Sequence, residues 1–208
     1  MKICEVYKSI QGEGLTMGLP TVFVRTVGCN LDCSWCDTPY AMSGGTDMTV
    51  HDIMDKVGEC KTVCVTGGEP LLQKDIDQLF DAILSSGKRV VLETNGAMDI
   101  KDLPKDPDFI ISMDIKCPSS GMTERMLESN LEYLSDKDQL KFVIKDQADL
   151  DFAIDYVKNK PVPVNVIFTP VGGTSKLDWL VEEVLKNNVN VRVLPQLHRI
   201  IWGNKQGV

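Results

Sequence analysis

Apolar runs of strand length recur along this chain: Thr21 to Val27, Thr62 to Val65, Arg89 to Leu92, Phe109 to Met113, Leu140 to Ile144, Val164 to Phe168 and Val189 to Leu194. Between several of them the apolar residues change to helical spacing, as in Ile76, Leu79, Phe80, Ile83 and Leu84, and again in Leu177, Leu180, Val181, Val184 and Leu185. Leu150, Ala153, Ile154 and Val157 form a shorter stripe. These stripes are core faces. Strands that alternate with helices need right-handed crossovers and give a mainly parallel sheet. About six strands are too few to close a full barrel, so the expected class is α/β, a partial TIM-like barrel or open sheet with outer helices.

Parallel α/β folds bind ligands at the carboxyl ends of their strands, and the polar motifs fall there. Arg25 lies within the first strand and a cysteine loop follows it. Thr66-Gly67-Gly68-Glu69-Pro70 follows the second strand and Glu93-Thr94-Asn95-Gly96 the third. Asp114-Ile115-Lys116, Thr169-Pro170-Val171-Gly172-Gly173 and Pro195-Gln196-Leu197-His198 follow later ones. These strand ends are expected to converge on one rim. Lys101 to Asp108, with two prolines, reads as a solvated loop rather than a domain linker.

At 208 residues the chain has the length of one well-buried domain. A net charge of −8 disfavours broad nucleic-acid binding, which needs a basic face, and favours a small substrate. No apolar run approaches the roughly 20 residues that cross a bilayer, and Met1-Lys2-Ile3-Cys4 leads straight into strand-like sequence. The expectation is a cytoplasmic protein without membrane or nucleic-acid partners. Seven cysteines, an odd number without a regular framework, fit a reducing compartment.

Three of the cysteines share one short loop, Cys29-Asn-Leu-Asp-Cys33-Ser-Trp-Cys36. Three thiolates are one too few for a four-iron cubane, so one iron is left open to chelate a small molecule. A structural zinc site would want a fourth Cys or His nearby, yet the only histidines, His51 and His198, are far from this spacing. A redox dithiol of Cys33 and Cys36 would leave Cys29 unexplained. Cys60, Cys64, Cys4 and Cys117 read as small core residues, and His51 as a surface residue of a helix.

Cys29, Cys33 and Cys36, with Trp35 before the last, resemble the signature of the radical S-adenosylmethionine enzymes. That resemblance implies a [4Fe-4S] cluster held by the three cysteines, its open iron chelating S-adenosylmethionine, which is cleaved to a 5′-deoxyadenosyl radical. Thr66-Gly67-Gly68-Glu69-Pro70 looks like the motif that binds the methionyl amine, where glycine lets backbone approach the ligand.

Ser9-Ile10-Gln11-Gly12-Glu13-Gly14, Phe23-Val24-Arg25-Thr26, Cys36-Asp37-Thr38, Gln196-Leu197-His198 and Trp202-Gly203-Asn204-Lys205 further resemble the 7-carboxy-7-deazaguanine synthase family, over nearly the whole chain. The resemblance implies that 6-carboxy-5,6,7,8-tetrahydropterin loses ammonia in a ring contraction begun at its C6 hydrogen, a step toward the queuosine or archaeosine of tRNA. It divides residues 1–208 into a substrate-binding segment (1–20), a radical core (21–195) and a C-terminal tail (196–208). Substrate contacts are implied for Ile10, Gln11, Gly12, Glu13, Arg25, Thr66, His198 and the terminal Val208, and a Mg2+ contact for Thr38. Gln11 and Glu13 suit the donor and acceptor edge of a pterin, and Arg25 suits a carboxylate, with a buried ion pair as its other reading. The cofactor site would take Trp35, Cys36, Asp37, Gly68, Asp114, Ile115, Lys116, Thr169, Pro170, Val171 and Gly172, although relatives often carry Gln at the position of Thr169. A homodimer and a flavodoxin or ferredoxin reductant are implied in the same way.

Two other classes compete. An activase acting on a glycine of a partner protein would leave Gln11-Gly12-Glu13 without a task. An iron-sulfur electron carrier would normally supply four protein ligands.

Overall fold

The computed structural model describes residues 1–160, 162 and 164–208. Its strands are β1 (Lys2–Ile10), β2 (Pro20–Thr26), β3 (Thr46–Asp47), β4 (Thr62–Gly67), β5 (Arg89–Thr94), β6 (Phe109–Ile115), β7 (Gln139–Ile144), β8 (Asn165–Pro170) and β9 (Arg192–Val193). Its α-helices are α1 (Val50–Val57), α2 (Ile76–Ser85), α3 (Gln147–Asn159), α4 (Leu177–Asn187) and α5 (Leu197–Trp202). Among the described residues the strands form one sheet in the order β3-β1-β2-β4-β5-β6-β7-β8-β9. From β2 through β9 neighbours pair in parallel, whereas β1 runs antiparallel to both β2 and β3. The end strands β3 and β9 do not meet, so the sheet is an open, incomplete barrel, as expected.

The strands formed where the apolar runs stood, and α2, α3 and α4 carry the apolar stripes. Thr49 caps α1 in a reciprocal capping box with Asp52. Two connections depart from strict alternation. Residues 95–108 join β5 to β6 without an α-helix, and the segment between β6 and β7 folds into three 3-10 turns, Pro118–Ser120, Thr123–Arg125 and Glu128–Tyr133. Pro118 lacks an amide donor and Gly121 is left-handed at φ 75°, so a continuous helix is broken there. The run Val189 to Leu194 contributes only two residues of β9, because Asn188 turns the chain in the left-handed region at φ 51° just before it.

Successive residues of a strand face opposite sides of the sheet, and this alternation divides the protein. Val22, Val24, Val63, Val65, Leu92, Met113, Phe142 and Phe168 face the helices and join the core with Phe80, Ile83, Leu150 and Leu180. The ring of Phe142 meets those of Tyr156 and Phe168 edge to face, each at 5.4 Å. The other face of the same strands presents Arg25, Cys64, Thr66, Glu93, Asp114 and Lys141 to a cavity. Among the described residues, no helix is long and apolar enough to cross a membrane.

Candidate active site

A cavity of about 890 Å³ occupies the concave side of the sheet, at the carboxyl ends of its parallel strands. Cys29, Cys33 and Cys36 line its mouth, on the loop that leaves β2. The cysteine loop is held from several sides. Gly28 N–H donates to Ala41 O at 2.8 Å, and its carbonyl accepts Glu69 N–H at 2.8 Å. A Cβ on Gly68 would lie 2.1 Å from Gly28 O, so only glycine lets these two strand ends approach. Ser34 N–H donates to Ser120 O at 3.1 Å and its hydroxyl to Ser119 O at 2.6 Å, which ties the loop to the first 3-10 turn. Trp35 Nε1 donates to Ser119 Oγ at 2.9 Å, and Lys116 Nζ stands 5.9 Å from the Trp35 ring centre.

The three thiols line one cavity from a single loop, the donor set a cluster asks for, since a cubane needs each thiolate to meet a different iron. Cys29 Sγ also accepts Leu31 N–H at 3.4 Å and Asn95 Nδ2 at 3.5 Å, bonds that suit a thiolate ligand.

Glu69 organises the next strand end. Fully buried, its carboxylate accepts Asn95 N–H at 2.7 Å, Leu71 N–H at 3.1 Å and the Thr94 hydroxyl at 3.0 Å. Burial pushes the carboxyl up to about 7, while the Asn95 and Leu71 amides, the Thr94 hydroxyl and Lys116 oppose the shift.

Deeper in the cavity lies a chain of alternating charge. Lys141 Nζ stands 2.7 Å from Glu93 Oε2, 3.1 Å from Glu13 Oε2 and 3.6 Å from Asp114 Oδ1, and Lys116 Nζ lies 2.6 Å from Asp114 Oδ2. Gln196 Nε2 donates to Glu13 Oε1 at 2.8 Å. Burial raises Glu13, but Lys141, His198 and Gln196 outweigh it and hold the carboxyl below the usual range. Burial leaves Glu93 raised despite Lys141. It also lowers His198, which Glu13 pulls back only in part. On the β2 side, Arg25 Nε donates to Glu5 Oε1 at 2.7 Å and an Nη to Tyr7 Oη at 3.3 Å, while Tyr40 Oη donates to the same Glu5 oxygen at 3.1 Å. The ion-pair reading of Arg25 is therefore realised, and its guanidinium still lines the cavity.

Most of the residues singled out in the sequence meet here. Ile10, Gln11, Gly12, Glu13, Arg25, Trp35, Cys36, Asp37, Thr38, Thr66, Gly68, Asp114, Lys116, Val171, Gly172, His198 and Val208 all line the cavity. Ile115, Thr169 and Pro170 do not. Ile115 alternates with Asp114 and so faces the core. Thr169 and Pro170 stay paired to Val143 and Ile144 of β7, which makes Val171 the first residue of that stretch to reach the cavity. Cys60 and Cys117 are core residues as expected, whereas Cys64 is buried on the cavity side.

The family model of the radical SAM superfamily matches residues 23–186. The 7-carboxy-7-deazaguanine synthase of Thermoplasma acidophilum is 43% identical, with 100% of each chain covered. That of Methanospirillum hungatei is 42% identical over 97% of this chain and 85% of its own length. The chain belongs to the 7-carboxy-7-deazaguanine synthase family of radical SAM enzymes. Membership carries a four-iron cluster and S-adenosylmethionine with it. Among solved structures, QueE from Escherichia coli superposes with a TM-score of 0.73 at 21% identity, covering 92% of each chain, and so shares the fold. The fold also matches Streptococcus suis SuiB, solved with S-adenosylmethionine, at TM-score 0.57 and 16% identity over 81% of this chain and 48% of that one.

Two cavity residues, Lys141 and Glu93, are not among the site residues expected from the sequence. Lys141 sits inside the apolar run Leu140 to Ile144, and Glu93, in the motif expected just after its strand, is within β5. Their signal was available: Lys141 is a charge between Leu140 and Phe142, and Glu93 directly follows the apolar Val90 to Leu92, two places on from Val91 and so on the same face of the strand.

Proposed function

We propose that the enzyme converts 6-carboxy-5,6,7,8-tetrahydropterin to 7-carboxy-7-deazaguanine with release of ammonia, in the biosynthesis of the deazaguanine bases of tRNA. The observation that carries this reading is the joining of Gln11 and Glu13, after β1, to His198 and Gln196 of the tail in one cavity with the cysteine loop. Unpartnered buried polar atoms among the described residues support a polar ligand, since Gln11 Nε2 and Gln196 Oε1 both lack a hydrogen bond.

When bound, the cluster and S-adenosylmethionine supply hydrogen-atom abstraction. Cys29, Cys33 and Cys36 hold the cluster; Trp35, Asp37, Gly68, Asp114, Lys116, Val171 and Gly172 surround the adenosyl cofactor. Gln11 and Glu13 engage the pterin edge, with Ile10, Gly12, Thr66, His198 and Val208 against the ring. Arg25 takes the substrate carboxylate through N–H donors left over from Glu5, because a guanidinium carries five. Thr38 offers its hydroxyl to a Mg2+ ion whose other ligands are substrate oxygens and water. In this reading residues 1–208 act as one cytoplasmic domain, as a homodimer reduced by a flavodoxin or ferredoxin, and the product enters queuosine or archaeosine synthesis.

The test is anaerobic. The protein is reconstituted with iron and sulfide and given reductant, S-adenosylmethionine, Mg2+ and the carboxytetrahydropterin, and the deazaguanine is sought by mass. Cofactor cleavage without that product would retain the radical class and remove the substrate.

A further inference from the structure

Lys141 is the only cation within ion-pair distance of Glu13 or Glu93 among the described residues. Its side chain is 8% exposed, and the carboxylates around it arrive from three places: Glu13 from the loop after β1, Glu93 from β5 and Asp114 from β6. Asp114 has a second cation in Lys116, whereas Glu13 and Glu93 otherwise receive only neutral donors, Gln196 and Ser112. Two buried carboxylates side by side repel each other and are poorly solvated, so without a shared cation at least one would take up a proton. His198 and Arg25 face the same group of charges but form no ion pair with Glu13 or Glu93, and Cys64 is a neutral thiol beside them.

We propose that Lys141 is a positioning residue for substrate recognition, holding the carboxylates of Glu13 and Glu93 together on the cavity wall as paired acceptors for the N–H edge of the substrate. The inference rests on the pterin reading above and adds a residue to it. Lys141 acts through Glu13 and Glu93 and through Asp114 also reaches the group around Lys116, which makes it the joint between the substrate and cofactor sides of the cavity.

The experiment is equilibrium dialysis of 6-carboxypterin, the oxidised ring system, against reconstituted enzyme between about pH 6 and pH 8.5, with wild type, K141M, E13Q and E13Q/K141M. Wild type should bind with less pH dependence than K141M, because Lys141 favours the ionised form of both acceptors. K141M should bind at least about tenfold more weakly at the acid end and recover as pH rises, since Glu13 and Glu93 must then ionise without a paired cation. In the E13Q background the Lys141 substitution should cost much less, the non-additivity expected of residues that act through each other. Circular dichroism establishes that each variant is folded. Should K141M alone not fold, E13Q/K141M, with one buried anion fewer, is compared with E13Q. Wild-type affinity and a flat profile in K141M, or full additivity, would overturn the proposal. Absence of binding to wild type would instead overturn the pterin reading.

Discussion

The Asp149 carboxylate of α3 and the Ser119 hydroxyl lie 2.5 Å apart, and Ser119 Oγ in turn accepts Trp35 Nε1 at 2.9 Å. Asp149 also accepts Ser119 N–H at 2.8 Å and Lys145 N–H at 2.9 Å, and it is fully buried. The cysteine loop is thus anchored through one serine to a helix more than a hundred residues away in sequence.

Removing that anchor should loosen the loop. Asp149→Ala leaves three donors unpaired in a buried site and should lower stability by about 2–4 kcal/mol, measured by denaturant unfolding. Ser119→Ala should be milder in stability yet retain less iron after reconstitution, because Trp35 loses its partner. Equal iron content in wild type and S119A would remove the anchoring role.

Glu69 should make stability depend on pH in a particular direction. Its carboxyl rises on folding from an ordinary 4.5 to about 7. Between those values the native state holds a proton that the unfolded chain has released, so this group's contribution is full below about 4.5 and declines as pH rises to about 7. Glu69→Gln should flatten that part of the profile. It should also destabilise by about 1–3 kcal/mol, since an amide NH2 faces the Asn95 or Leu71 donor. Thermal melts across the range provide the comparison.

Gly12 touches the tail so closely that a Cβ there would come 2.1 Å from His198 Nδ1. Leu197 N–H also donates to Gly12 O at 2.9 Å. Gly12→Ala should therefore displace His198 and raise KM about tenfold or more, with a smaller effect on kcat if chemistry still follows in the correctly seated fraction. Steady-state kinetics separates the two, and an unchanged KM would mean the tail yields without consequence.

Cysteine substitutions should sort by place in the fold. Cys33→Ala should abolish a normal four-iron cluster by iron and sulfide analysis and by absorption, whereas Cys4→Ala, half-buried on β1 outside the cavity, should keep it. A normal cluster in C33A would undo the ligand assignment.

Much of the architecture was legible because its signals are local. The valines of β2 and β4 and the Ile76 to Leu84 stripe declare their elements through periods of two and of 3.6 that any few residues display. Other places carry no periodic pattern to read: residues 116–138 hold no helical stripe, and around Pro118 and Gly121 they fold into 3-10 turns. Thr169 and Pro170 looked like a strand end, but pairing with β7 carries the strand through them.

By itself the sequence determined the parallel alternation, the rim on which the motifs gather, and the three-thiol loop with room for one further ligand. These rest on spacing along the chain and on the chemistry of single residue types. Only the tertiary structure decided that Lys141 answers to Glu13 and Glu93, that Arg25 pairs with Glu5 across β1 and β2, and that Asp149 steadies Trp35. A buried charge is stable only beside its partner, and that partner is chosen by sheet register and chain crossing, which bring together residues as far apart in sequence as Glu13 and Lys141.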